Sequence, residues 1–231
     1  MTNINVTEFN NMLLEIYTNS RKKDNKTGLK YINKMMTGKV LEYLEKNFKA
    51  EAKKYILKRD NENKKIKKQV DNTIKFFEKN INEKTTGINC VYKLMSSYQA
   101  GLNLLKESDI DVGCLVNDLD DIKLFKLTLE FMKYGFVPTT MYVNKYDQKN
   151  KYFSFEKDIN GISFEIKVRD AKYSATIVKL DEMVEKKLSP KQKCYYTYAK
   201  YITKNTDGYK YIKLFIAESV FYYIKDSYMF T

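Results

Sequence analysis

Asp109 and Asp111 stand two residues apart in the segment Ser108-Asp109-Ile110-Asp111-Val112. The segment IDVGCLV, residues 110–116, reads as a short strand. A side-chain period of two puts both carboxylates on one face and turns Ile110 and Val112 toward a core. Two like charges this close repel unless something positive neutralises them. A divalent ion does that, and a pair of ions bridged by carboxylates would activate an attacking hydroxyl and polarise a phosphate. The chain contains no histidine. That excludes His-containing zinc sites, the Ser-His triad and histidine acid–base chemistry. A hard ion held by carboxylates alone points to Mg²⁺ or Mn²⁺.

Two further segments bear on that chemistry. In GISFEIKVRD, residues 161–170, Phe164, Ile166 and Val168 alternate with Glu165, Lys167 and Arg169. One face is core and the other charged. Beside the Asp strand, Glu165 would complete a cluster of three carboxylates, and Lys167 or Arg169 would reach a phosphate. Ser96-Ser97 follows a predicted strand, NCVYKLM, over 89–95. A turn there leading into a helix would aim backbone N–H groups and a hydroxyl at an anion, and Gly101 would let the chain come back toward the carboxylates. Each piece alone has a plain structural reading: a turn-and-cap sequence, a half-exposed strand, a loop. Their order along the chain is the informative feature.

Ser96-Ser97-Tyr98-Gln99-Ala100-Gly101-Leu102 followed by Ser108-Asp109-Ile110-Asp111-Val112 resembles the signature of the polymerase-beta-type nucleotidyltransferase superfamily. The flavour is that of the non-canonical poly(A) and terminal uridylyl transferases. Ser96 stands at the glycine that opens the family's phosphate loop, and Ser97 at the serine that contacts the triphosphate. Asp109 and Asp111 match the metal-binding pair, and Glu165 the third, catalytic carboxylate, more often Asp in the polymerases. The resemblance implies transfer of a nucleoside monophosphate from an NTP to an acceptor hydroxyl, with pyrophosphate leaving and Mg²⁺ or Mn²⁺ as cofactor. Asp109, Asp111 and Glu165 would hold metal and do the catalysis. Ser96, Ser97, Gly101, Lys167 and Arg169 would bind the nucleotide. Residues 161–170 also resemble the Glu-containing strand of alarmone synthetases, a group that the Asp-x-Asp pair fits poorly. A nucleotide- or nucleic-acid-binding member without turnover, and a helical interaction protein, stay open as alternatives.

The elements that would carry these residues follow from periodicity. Before residue 88 the apolar spacing is helical. Residues 6–18 read as a helix capped by Thr7 with Phe9, Leu13 and Tyr17 on one face, after which NSRKKDNKTG reads as a loop. Residues 28–48 and the lysine-rich 50–80 read as further amphipathic helices. From residue 88 the period shifts toward two. Strands are predicted over 89–95, 110–116, 137–143, 150–155 and 162–169, the last two turned at Ile159-Asn160-Gly161. Pro138 should bend the third strand or hold it at an edge. A helix over 119–134 should face inward through Leu119, Ile122, Phe125, Leu129 and Met132. Helices follow over 171–187, 190–204 and 209–225, the second opened by Ser189 and Pro190. The predicted fold is α+β, a small mixed sheet flanked by N-terminal and C-terminal helices. Its expected parts are an N-terminal helical arm (1–87), a nucleotidyltransferase-like core (88–187) and C-terminal helices (188–231).

With 231 residues, 43% apolar, the chain is long enough to bury a core. Its three cysteines, an odd count without paired spacing, argue against a disulfide scaffold. There is no signal-peptide pattern at the N-terminus, and no run of about 18 apolar residues for a membrane span, so the cytoplasm is the expected compartment. A net charge of +13 favours anionic partners. The Lys49–Lys68 cluster and the C-terminal tyrosines Tyr195, Tyr196, Tyr198, Tyr201 and Tyr209 suit RNA, although a solvated helix face and core packing account for the same residues. The chain is short for a tailing enzyme, so a protein partner is a further expectation; the sequence does not set an oligomeric state.

Overall fold

The computed structural model describes residues 2–104, 108–143 and 151–225. The chain divides into two compact units, residues 61–181 and residues 1–60 with 182–231.

The first unit holds the sheet. Its strands are β1 (Cys90–Leu94), β2 (Ile110–Val116), β3 (Val137–Val143), β4 (Lys151–Ile159) and β5 (Ile162–Asp170), in the spatial order β1-β2-β5-β4-β3. β2 and β5 run parallel and every other pair is antiparallel, so the sheet is mixed. All five predicted strands are present; residue 150, the expected start of β4, lies outside the described residues. Pro138, with no N–H to donate, lies on the edge strand, at a break in its register with β4. Asn160 and Gly161, both with positive φ, turn β4 into β5, the backbone that a two-residue hairpin requires.

One face of this sheet is an apolar core. Ile110, Val112, Cys114 and Val116 of β2 and Phe164, Ile166 and Val168 of β5 pack there with Val70, Phe77 and Ile81. Those last residues belong to the end of α3 (Leu41–Asn80) and the turn after it. Residues 61–87 therefore group with the sheet. The lysine-rich helix hides a narrow apolar stripe, and the sheet is what covers it. α6 (Asp121–Lys133) packs on the same core through Leu124, Leu127 and Phe131. This corrects the inward stripe expected for this helix: Ile122, Phe125, Leu129 and Met132 are exposed. The two stripes have the same helical spacing, so periodicity alone does not choose between them.

The other unit is helical: α1 (Thr2–Arg21), α2 (Asn25–Met35), a π turn at Met36–Val40, the start of α3, the end of α7 (Ala171–Lys187), α8 (Pro190–Thr203) and α9 (Gly208–Lys225). α1 is longer than expected, so Thr7 lies inside it and does not cap it, and the expected loop shrinks to the residues before Asn25. Asp24 caps α2 by accepting from the Thr27 N–H. Phe9, Leu13, Ile32, Met36, Leu44, Tyr196 and Phe215 are fully buried here. The Tyr196 hydroxyl donates to the Met36 carbonyl at 2.8 Å. Of the five C-terminal tyrosines, Tyr195, Tyr196 and Tyr198 are core residues and Tyr201 is exposed. No helix among the described residues is long and apolar enough to cross a membrane.

Candidate active site

The opposite sheet face carries the charges. Parallel pairing sets Asp111 beside Glu165, Gly113 beside Lys167 and Leu115 beside Arg169. Alternation then turns Asp111, Glu165, Lys167 and Arg169 to one side, because Val112, Ile166 and Val168 are taken by the core. Lys167 Nζ lies 2.5 Å from Asp111 Oδ1 and 3.0 Å from Glu165 Oε2. All three side chains are mostly buried, so one ammonium serves as counter-charge to two carboxylates.

The electrostatics divide the pair. Burial pushes the Asp111 carboxyl up, against the pull of Lys167. Burial also raises Glu165, but Ser154, Lys167 and Asp111 outweigh it and hold that carboxyl below its ordinary value. Burial draws Lys167 down, and the two carboxylates more than restore it. Arg169 lies over the Tyr152 ring, 4.4 Å from its centroid, and its buried Nε has no hydrogen-bond partner among the described residues.

The serine turn borders this face. Met95 N–H donates to the Asp111 carbonyl at 3.0 Å, tying the turn to β2. Ser96–Gln99 then form the short turn α5. Ser96 has φ +55°, in the left-handed region where glycine is favoured. Ser97 is half-buried, its carbonyl taken by the Leu102 N–H, and Gly101 closes the turn at φ +70°. The backbone therefore makes, at Ser96 and Gly101, the two bends expected of this segment.

Asp109 is exposed and precedes the first paired residue of β2. The structure brings Asp111 and Glu165 together and leaves Asp109 outside the pair. Among the described residues, no group of three His, Cys, Asp or Glu side chains converges as a metal site. Sequence reasoning did not find Asp181 on α7, which accepts the Ser96 N–H at 2.6 Å. Burial raises its carboxyl, the Ser96 N–H opposing. It lies far along the chain in an ordinary amphipathic helix, and no spacing marks it. Gly113 also passed unremarked. A Cβ there would lie 2.4 Å from Met95 Sδ, so glycine lets Met95 pack against β2 just before the serine turn.

No protein-family model and no curated protein matches the sequence. Two solved structures of the Cid1 poly(U) polymerase are similar. One, with Mg and 3′-dATP bound, aligns with a TM-score of 0.52 at 16% identity, over 73% of this chain and 54% of that one. The other, with MgGTP bound, aligns with a TM-score of 0.46 at 17% identity, over 61% and 42%. The fold is similar to that of the Cid1 structure with Mg and 3′-dATP bound. This chain spans about half the length of the Cid1 structures it matches. The mixed sheet and the flanking helices expected from sequence are both present.

Proposed function

We propose that this chain is a metal-dependent nucleotidyltransferase that moves a nucleoside monophosphate from an NTP to an acceptor hydroxyl, with the 3′ end of RNA as acceptor. The observation that carries the reading is the register of β2 on β5, which sets Asp111 beside Glu165 on the charged face of the sheet. The donors are carboxylates only, the set a hard divalent ion takes. Asp111 and Glu165, with Asp109 from the residue before β2, would hold Mg²⁺ or Mn²⁺ in place of the Lys167 ammonium. When bound, the ion would supply Lewis-acid polarisation of the phosphate and lower the pKa of the acceptor hydroxyl.

The chain's own groups do the rest. Glu165 accepts the acceptor's proton at a carboxylate oxygen. Lys167, released from the carboxylates, and Arg169, with its unpartnered Nε, bind the triphosphate. Ser96 and Ser97 orient it, and the turn closed by Gly101 keeps them against β2. The exposed lysines between Lys49 and Lys68 contact the acceptor backbone.

A second reading, nucleotide binding without transfer, is favoured by one observation: Asp181 already takes the Ser96 N–H that a phosphate would use. One assay separates the two. The protein is incubated with Mg²⁺ or Mn²⁺, each labelled NTP, and an RNA oligonucleotide, a DNA oligonucleotide or no acceptor. Labelled RNA is expected, with RNA affinity falling with salt at a log–log slope of roughly 3 to 4 for about five lysine contacts. Saturable NTP binding with no labelled product under any condition would favour the second reading. Label on another acceptor, with no salt-sensitive RNA binding, would reject RNA and keep the transferase.

A further inference from the structure

α6 has two apolar faces, and only one is used. Leu124, Leu127 and Phe131 pack on the sheet. On the other side Ile122 is 70% exposed, Phe125 63%, Leu129 45% and Met132 51%. Single exposed apolar residues are ordinary. Four in succession at spacings of three, four and three form a seam of the kind one helix offers to another. Together they expose on the order of 400 Å² of apolar surface, the scale at which a patch marks an interface. Nothing among the described residues covers it.

We infer that this face docks a second copy of the chain, α6 against α6 in antiparallel fashion about a two-fold axis. The sequence of the helix is the argument. Turned end over end about Leu127, the stripe is complementary to itself. Ile122 then falls opposite Met132, Phe125 opposite Leu129, and Asp121 opposite Lys133. The apolar pairs fill the seam and the two charge pairs close its ends. Asp121 and Lys133 are both exposed and able to reach across: among the described residues Asp121 pairs with Lys151, at 2.5 Å, and Lys133 with Glu130, at 2.5 Å. A two-fold axis doubles each contact, as an isologous interface requires. From the two copies together the stripe removes roughly 800 Å² from water, the scale of a small, reversible interface. The edge of β3 is not itself the contact, because Pro138 and the break in register beside it spoil a ladder there. The inference is independent of the chemistry proposed for the charged face.

The test is sedimentation velocity of the full chain from nanomolar to high-micromolar concentration. A dimer of twice 27.4 kDa is expected. Phe125→Lys should weaken association ~30-fold or more, the scale of losing a buried aromatic anchor. Its circular dichroism and thermal unfolding as a monomer should stay unchanged, because Phe125 packs on nothing in the fold's own core. Lys133→Asp should also weaken the dimer, and adding Asp121→Lys should restore it, a rescue that only the antiparallel register gives. A wild-type chain that stays monomeric throughout would overturn the inference and leave the face to a different protein or to residues 144–150. So would a dimer that Phe125→Lys leaves intact.

Discussion

The two faces of the sheet are made by the same two strands and do opposite work. On one, β2 and β5 send Ile110, Val112, Cys114, Phe164, Ile166 and Val168 into a core closed by α3 and α6. On the other, the residues between them leave a thin cover, Met95, Leu115 and Val178, beside a group of charges on one lysine. The first face is rich in contacts and poor in chemistry. The second gives up apolar burial to hold two carboxylates, a lysine and an arginine in a confined space. Stability should therefore reside on one side and function on the other, and substitutions along a single strand should alternate between the two outcomes.

The largest effect is expected on the core face. Phe164→Ala should cost about 3–5 kcal/mol of unfolding free energy in urea titration, the range for truncating a buried aromatic. A loss below about 1 kcal/mol would mean that this face is not the structural one. Next comes Lys167→Met, which removes the ammonium that contacts both Asp111 and Glu165. Arg169 remains as a weaker counter-charge to both, and because these side chains are mostly buried a loss of about 2–3 kcal/mol is expected. Added Mn²⁺ should recover much of it and should raise the Tm of this variant more than that of the wild type. A variant that Mn²⁺ does not stabilise would argue that the pair is structural.

Gly113→Ala sharpens the comparison within one strand, since Gly113 faces the charged side between two core residues. Its Cβ would press on buried Met95, and a cost of about 1–2 kcal/mol is expected from such overpacking. Transfer should fall by more than this stability change explains, because Met95 leads into the serine turn. Unaltered turnover would show that the turn tolerates the shift. The smallest effect belongs to Ser96→Gly. It relieves the left-handed φ of Ser96 but frees the unfolded chain, so a net gain of at most about 1 kcal/mol is expected. Clear destabilisation in thermal unfolding would mean that the serine side chain holds the turn.

The alternation that separates the two faces was legible in sequence, because a period of two in residues 110–116 and 162–169 leaves one assignment of core. The hairpin at Asn160-Gly161 was legible for the same local reason: few residue pairs accept two positive φ angles. What escaped depends on partners far along the chain. The ion pair of Lys167 with Asp111 shows only once β5 is laid beside β2. Asp181 reaches Ser96 across 85 residues, and no local pattern encodes that contact. α6 failed differently. Ile122, Phe125, Leu129 and Met132 fit a helical stripe as well as Leu124, Leu127 and Phe131 do, and only the sheet decides which turns inward. The grouping of residues 61–81 with the sheet escaped as well, because their lysine-rich surface lies over a stripe of Val70, Phe77 and Ile81.

The central claim is that the charged face transfers nucleotides through Asp111. The direct measurement is Mn²⁺-dependent transfer of label from an NTP to acceptor by the wild type and Asp111→Asn, side by side, with the fold of each checked by thermal unfolding. The wild type should label the acceptor. Asp111→Asn should lose transfer by about 1,000-fold or more, the scale of removing a group that acts in the transition state, while its Tm stays level or rises slightly as one of two crowded like charges is removed. An Asp111→Asn protein that is folded and labels the acceptor at the wild-type rate would contradict the account.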